Sequence, residues 1–169
     1  MSKQREVEIK FRVGDLEPVR RRLAALGATH VGAEHEENLI FDEAGGRLRA
    51  ADELLRLRRD RHATLTFKSP LPDQRYKVRR EIEVEVGDFD AARDLLEALG
   101  YRVVASYEKD RETWRHAGTA ILLDRLSIGS FVELEGEPDA IDRVAQALGF
   151  DVARGITKSY LALLAESQA

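Results

Sequence analysis

Carboxylates and basic groups alternate with apolar residues in several short runs, and any chemistry in this chain starts from that pattern. Glu6, Glu8, Lys10 and Arg12 take every second position, with Val7, Ile9, Phe11 and Val13 between or beside them. Alternate side chains of an extended chain share a face, so this run sets charges on one side and apolar groups on the other. The same periodicity pairs Arg56 with Arg58, opposite Leu55 and Leu57. It sets Thr64, Thr66 and Lys68 against Leu65 and Phe67, and Arg79, Glu81, Glu83 and Glu85 against Ile82, Val84 and Val86. Lys109 shares a face with Arg111, and Glu133 with Glu135. Asp124 follows the apolar run Ile121-Leu122-Leu123.

Paired carboxylates such as Glu6/Glu8 and Glu133/Glu135 suit hard divalent cations, Mg²⁺ or Mn²⁺, which take oxygen ligands. Lys and Arg suit phosphate oxygens, Arg often bidentately. Acids and bases around one cavity therefore describe a metal–polyphosphate site. Alternation alone leaves the direction of the charged faces open, because antiparallel sheets commonly turn a polar face to water. Two features favour an inward direction. The charges are sorted, with carboxylates on the first and last runs and bases on several between. The chain also carries amphipathic helices that need apolar sheet faces to cover. Charges turned inward must pair, bind metal or bind ligand.

Those helices appear as a repeated unit. Val13-Gly14-Asp15 returns as Val86-Gly87-Asp88, and the two helices that follow end at Leu26-Gly27 and Leu99-Gly100. A looser third copy ends at Leu148-Gly149. Apolar residues recur at helical spacing at Leu16, Val19, Leu23 and Leu26, at Phe89, Ala92, Leu96 and Leu99, and at Ile141, Val144 and Leu148. A last helix is expected over 158–166. Strands are expected at 5–13, 38–42, 54–60, 63–68, 78–86, 102–114, 120–125 and 130–135, with a loop from Ser69 to Gln74. So many strands in 169 residues favour a closed antiparallel barrel over an open sheet, because closure removes exposed edges. No Gly/Ser- or Pro-rich linker divides the sequence, so 1–169 reads as a single domain of α+β class.

In this order the motifs resemble the CYTH domain, the triphosphate tunnel metalloenzymes, which include class IV adenylyl cyclases, thiamine triphosphatases and inorganic triphosphatases. The resemblance is carried by Glu6-Val7-Glu8-Ile9-Lys10, Leu55-Arg56-Leu57-Arg58, Leu65-Thr66-Phe67-Lys68, Arg79-Arg80-Glu81-Ile82-Glu83, Glu108-Lys109-Asp110-Arg111, Leu123-Asp124, Glu133-Leu134-Glu135 and Thr157-Lys158-Ser159-Tyr160. It implies an eight-stranded antiparallel tunnel with helices outside. It implies that Glu6, Glu8, Glu133 and Glu135 hold metal, with Glu83 and Asp124 as helpers. Lys10, Arg56, Arg58, Lys68, Lys109 and Arg111 would hold the triphosphate, joined by Arg79 and Lys158 as more distant matches; Glu81 is a more distant match with no role assigned. The chemistry itself would fall to Glu6, Glu8, Lys10, Lys109 and Arg111. The pattern is most similar to the class IV cyclase subgroup, which implies conversion of ATP to cyclic AMP and pyrophosphate. The same motifs serve hydrolysis of inorganic or thiamine triphosphate, and a non-catalytic polyphosphate or nucleotide sensor would share them. A homodimer is implied by resemblance alone. One departure bears on substrate identity: relatives often carry an acid and an aromatic just before the Phe-Asp of the second strand, where this chain has Asn38 and Ile40.

Bulk properties fit a globular chain, with 43% hydrophobic and 34% charged residues and a formal net charge of only −4. That balance excludes general attraction to nucleic acid or anionic membrane. The absence of cysteine excludes disulfides, thiol nucleophiles and thiolate metal sites. Met1 to Lys10 lacks the apolar stretch of a signal peptide, and no run approaches the roughly 20 apolar residues of a membrane span, so a cytoplasmic location is expected. Neither a P-loop nor a dinucleotide fingerprint is present. His30, His35, His62 and His116 lack metal spacing, Trp114 reads as packing, and Arg20-Arg21-Arg22 and Glu34 to Glu37 read as solvated.

Overall fold

The computed structural model describes residues 5–73 and 75–168. Its elements run β1 (Arg5–Val13), α1 (Glu17–Ala25), β2 (Thr29–Asp42), α2 (Arg47–Ala50), β3 (Leu54–Arg59), β4 (Ala63–Leu71), β5 (Lys77–Val86), α3 (Phe89–Ala98), β6 (Arg102–His116), β7 (Thr119–Leu126), β8 (Gly129–Glu135), α4 (Pro138–Leu148), a 3₁₀ turn (Val152–Arg154) and α5 (Tyr160–Ser167). The strands close into one antiparallel ring in the order β1-β5-β4-β3-β2-β6-β7-β8, with helices outside it. The α+β barrel expected from the alternating runs is therefore the fold. No helix among the described residues is long and apolar enough to cross a membrane.

The chain gathers into two compact units that interleave along the sequence. The first takes the chain through Glu6 with His35–Pro72 and Val78–Glu108; the second takes Val7–Glu34, Asp73–Lys77 and the chain from Lys109. In the first, Phe41, Leu57 and Leu96 form a buried apolar cluster, with Leu39, Leu55, Leu65, Val86, Phe89, Ala92, Tyr101 and Val103 packed against it. Helix α3 thus covers apolar residues of β2, β3 and β4 and Val86 at the end of β5, while Ile82 and Val84 of β5 stay exposed. Arg56, Arg58, Lys68, Glu81 and Glu83 alternate with the apolar residues and take the opposite face. In the second unit, Val7, Ile9 and Phe11 of β1, Ile121 and Leu123 of β7, and Val132 and Leu134 of β8 are buried. Helix α4 packs on β7 and β8 and against α1, and it buries Ile141, Val144, Ala145 and Leu148.

The repeated unit has a local cause. Gly27 and Gly100 follow their helices at φ +68° and +96°, a region that residues with a Cβ rarely adopt. The two helix starts differ: the Asp88 carboxylate caps α3 by accepting from the Ala91 N–H, whereas Asp15 accepts from the Glu17 N–H and α1 relies on Pro18 in its first turn.

Four expectations need correction. β2 begins at Thr29 rather than 38, because pairing within the ring overrides the low strand propensity of Thr-His-Val-Gly-Ala-Glu. Within it Glu36, expected to be solvated, is 1% exposed, since it falls on the charged face with Asn38. Leu99, expected on the core stripe of α3, is 67% exposed; the helix ends at Ala98, so Leu99 lies past its last turn. β4 runs on to Leu71, which shortens the expected 69–74 loop; Gln74 lies outside the described residues.

Candidate active site

Both faces of β1 are buried. Val7, Ile9 and Phe11 enter the apolar core, while Glu6, Glu8 and Lys10 on the other face are 6%, 4% and 1% exposed. A solvated polar face is thereby ruled out for this strand. Charges in such a place require partners, and the structure supplies them in one cluster per unit.

In the second unit, Lys10 Nζ lies 3.5 Å from Glu8 and 3.2 Å from Glu133 and donates to the Lys158 carbonyl at 3.0 Å. Burial alone lowers the Lys10 pKa, but the Glu8 and Glu133 charges outweigh it and hold the ammonium above its ordinary value. Lys77 Nζ donates to Glu8 at 2.5 Å. Asp124, with no exposure, accepts from Arg111 at 2.7 and 2.6 Å, from Lys109 at 3.3 Å and from the Tyr160 hydroxyl at 2.7 Å. Arg111 also donates to Glu133 at 3.1 Å. Burial pushes the Asp124 carboxyl up, yet the Arg111 and Lys109 charges and the hydrogen bonds from Arg111 and Tyr160 hold it well below the usual range. Burial, then the charges of Glu133 and Asp124, push the Tyr160 phenol well above its ordinary value. Its ring lies 4.8 Å from Lys10 Nζ and 5.0 Å from Lys109 Nζ, edge-on to Phe131. The start of α5 thus closes over this cluster.

In the first unit, Lys68 Nζ donates to both Glu6 oxygens at 2.7 and 2.6 Å and lies 2.9 Å from Glu81. Burial raises the Glu81 pKa, but the Lys68 charge and hydrogen bond bring it below the ordinary value. The Thr66 hydroxyl donates to Glu83 at 2.8 Å, with Arg56 and Arg58 guanidinium nitrogens 3.8 and 3.9 Å from the same carboxylate. Burial lowers the Arg56 pKa, but nearby Tyr107, Glu36, Glu81 and Glu6 raise it on balance.

The sequence pattern of the CYTH domain matches residues 4–159. This chain belongs to the CYTH family. It is 31% identical over 170 residues to a Methanocaldococcus jannaschii protein named "Putative adenylate cyclase MJ0240", covering 94% of this chain and 97% of that one. Among solved structures, the PH1012 protein of Pyrococcus horikoshii superposes with a TM-score of 0.82 at 29% identity, over 94% of this chain and 98% of the other. The Hippeastrum protein HpAC1, described as having a dominant triphosphatase activity, shares the fold at a TM-score of 0.71 and 21% identity, over 96% of each chain.

The residues singled out from the CYTH motifs fall in different settings. Glu8, Lys10, Lys109, Arg111, Asp124 and Glu133 come together in the second unit, and Glu6, Arg56, Arg58, Lys68, Glu81 and Glu83 share the charged face of the first. Glu135 stands on the same face of β8 as Glu133, across from Glu8. Arg79 is drawn aside, bonding the Asp52 carbonyl and, at 2.9 Å, its carboxylate. The Lys158 ammonium is exposed and bonds Glu166 at 2.6 Å; its carbonyl, rather than its charge, meets the cluster. Sequence reasoning missed Lys77, Tyr160 and Thr66. Lys77 shares the parity of Arg79, Glu81 and Glu83 and needed only one more residue of strand. Tyr160 lay in the Lys158-Ser159-Tyr160 motif, where the charged member drew the assignment.

The acids present fit a hard divalent cation. Glu8 and Glu135 are Cα partners on adjacent strands, with Glu133 next along β8, and like charges placed opposite each other are costly without a cation. Among the described residues no three acids or histidines are gathered into a ready cage. Mg²⁺ usually takes one or two carboxylates and completes its shell with substrate phosphates and water, so the donor set suits that ion.

Proposed function

We propose that this CYTH protein is a divalent-metal-dependent enzyme acting on a triphosphate, with cyclisation of ATP to cyclic AMP and pyrophosphate as the leading reaction. The observation that carries the reading is the burial of sorted charge: Lys10, Glu8, Glu133, Lys109 and Asp124 are each under 6% exposed. Ionic groups this dry are costly to keep for stability alone, and they match an occupant that brings both anionic oxygens and a cation. The likeness to the M. jannaschii protein named for adenylate cyclase supports the choice of reaction.

In the second unit Glu8, Glu133 and Glu135, with Asp124 as a further oxygen donor, would hold Mg²⁺ or Mn²⁺; Glu6 and Glu83 are the corresponding oxygen donors of the first. The bound ion supplies positive charge that neutralises phosphoryl oxygens and lowers the pKa of a bound hydroxyl. Lys10, Arg56, Arg58, Lys68, Lys109 and Arg111 bind phosphate oxygens and absorb the charge that develops on pyrophosphate as it leaves. At neutral pH the raised Lys10 and Tyr160 remain protonated and the lowered Asp124 remains ionised. They act as fixed charges and donors, as phosphoryl transfer requires of a preorganised site. In the cyclase reaction the ribose 3′-oxygen forms a bond to the α-phosphorus as the α–β bridging bond breaks. In the alternative, water attacks the terminal phosphorus, the β–γ bridging bond breaks, and the diphosphate leaves as orthophosphate forms. The triphosphatase activity described for the Hippeastrum relative favours keeping this second reading.

The test incubates purified protein with ATP, inorganic triphosphate and thiamine triphosphate, with and without Mg²⁺ or Mn²⁺, and identifies products. Cyclic AMP with pyrophosphate, formed only with metal, supports the cyclase. Orthophosphate from any of the three supports the triphosphatase. Binding without product from any substrate overturns the enzyme reading in favour of a sensor.

A further inference from the structure

The charged face of the first unit carries an amide that the protein itself does not use. Asn38 of β2 is 1% exposed, and neither its Oδ1 nor its Nδ2 has a hydrogen-bond partner among the described residues. Its Cα partner is Arg58 on β3, whose other partner is Thr64 on β4. Asn38, Arg58 and Thr64 therefore form one cross-strand row. The Thr64 hydroxyl is likewise buried without a partner, while Arg58 leans on Asp60 at 3.0 Å and toward Glu83 at 3.9 Å. In the next row Thr66 bonds Glu83. Open hydrogen-bonding capacity thus remains at Asn38 and Thr64, on either side of a guanidinium, and at Arg56 Nε in the next row.

Folded proteins pair nearly all buried polar groups, and each exception calls for a cause. Leaving both ends of a carboxamide unpaired lowers stability, so its retention points to a bound partner. The chemistry of an amide narrows that partner. Phosphate oxygens only accept, so a bare triphosphate serves Nδ2 and leaves Oδ1 unpaired. The full complement is an edge that offers a donor beside an acceptor. An exocyclic amine next to a ring nitrogen has that edge, and a carboxamide reads it bidentately in adenine. The aminopyrimidine of thiamine presents the same pair.

We propose that Asn38, with Thr64 beside Arg58, is a specificity-determining subsite that reads the amine-and-ring-nitrogen edge of an organic triphosphate. The inference rests on the triphosphate reading above and narrows it from any triphosphate to one bearing an amino heterocycle. A carboxylate at position 38 would offer no donor to the ring nitrogen, whereas the amide offers one.

The test compares wild type with Asn38→Leu, which keeps the volume and removes the amide. Ligand-induced shifts in Tm and initial-rate kcat/KM are measured in Mg²⁺ for inorganic triphosphate and two matched pairs. These are ATP with inosine triphosphate and thiamine triphosphate with oxythiamine triphosphate, the second of each pair carrying an oxo group in place of the amine. The wild type should favour the amino member of at least one pair by about ten-fold or more, and that pair identifies the heterocycle. Asn38→Leu should shrink the preference to within about two-fold, leave inorganic triphosphate unaltered, and show an unliganded Tm equal to or above wild type, since an unpaired buried amide has been removed. Equal response of the wild type to amino and oxo members, an equal loss of inorganic triphosphate in the variant, or a lower unliganded Tm each overturns the subsite. If the wild type responds to no triphosphate at all, the proposed function falls and this inference falls with it. If inorganic triphosphate binds but the pairs are not distinguished, this inference alone falls.

Discussion

Glu8 on β1 and Glu135 on β8 are direct cross-strand partners, two carboxylates facing the same side of the sheet. Like charges so placed oppose folding. Lys10 and Lys77 relieve Glu8 from its own side. Replacing Glu135 with Gln should shrink the Tm gain on adding Mn²⁺ with triphosphate. Thermal unfolding with and without both ligands checks this. An undiminished gain would remove Glu135 from the metal site.

Glu8 accepts from Lys77 at 2.5 Å and lies 3.5 Å from the Lys10 ammonium. Glu8→Gln preserves shape and removes the charge, and it should lower metal-dependent turnover by at least about 100-fold, since the charge a metal contributes to the transition state is worth several kcal/mol. Circular dichroism should report an unaltered fold. Full activity in this variant would remove Glu8 from the metal site.

Arg58 is assigned to phosphate. Arg58→Ala should lower kcat/KM by roughly 10- to 100-fold, the range expected for losing hydrogen bonds to a charged group. Unchanged kcat/KM would detach Arg58 from the substrate.

A fourth expectation concerns the short segment that presents Lys77 to Glu8. The buried Tyr76 hydroxyl donates to Asp142 on α4, and burial together with that carboxylate pushes its pKa up to about 12. The neutral phenol is favoured in the folded state. Its contribution is complete below the unfolded value of about 10 and is lost as pH rises from there to about 12. Tyr76→Phe should cost about 1.5–3 kcal/mol at pH 7, as for hydrogen bonds to charged groups. The gap from wild type should close in denaturant titrations across that alkaline window. A pH-independent gap would contradict the assignment.

Most of the barrel was legible because strand periodicity is a local signal. Val7, Ile9 and Phe11 against Glu6, Glu8 and Lys10 announce two faces, whichever way they turn. What the sequence could not express was direction. That followed from Leu57, Leu96 and Phe41 closing the apolar side under α3, a set of residues far apart along the chain. The polar half of β2 was missed for the same reason: Glu36 is buried by neighbours on other strands, while its own neighbours in sequence look solvated. Site residues announced by charge were found in kind but not in geometry. Lys158 lies in a motif yet offers a carbonyl, whereas Tyr160 two residues on reaches Asp124. Asn38 stood out only as a departure from the family pattern, and its lack of partners is visible only in three dimensions.

The central claim is that these buried carboxylates and cations receive a metal-bound triphosphate, and anomalous scattering from Mn²⁺ in crystals grown with inorganic triphosphate tests it most directly. The account predicts an anomalous peak on oxygens of Glu8, Glu133 or Glu135, with triphosphate density against Lys10, Lys109 or Arg111. Crystals in which these carboxylates keep only their lysine and arginine partners, with Mn²⁺ and triphosphate bound elsewhere or not at all, would contradict it.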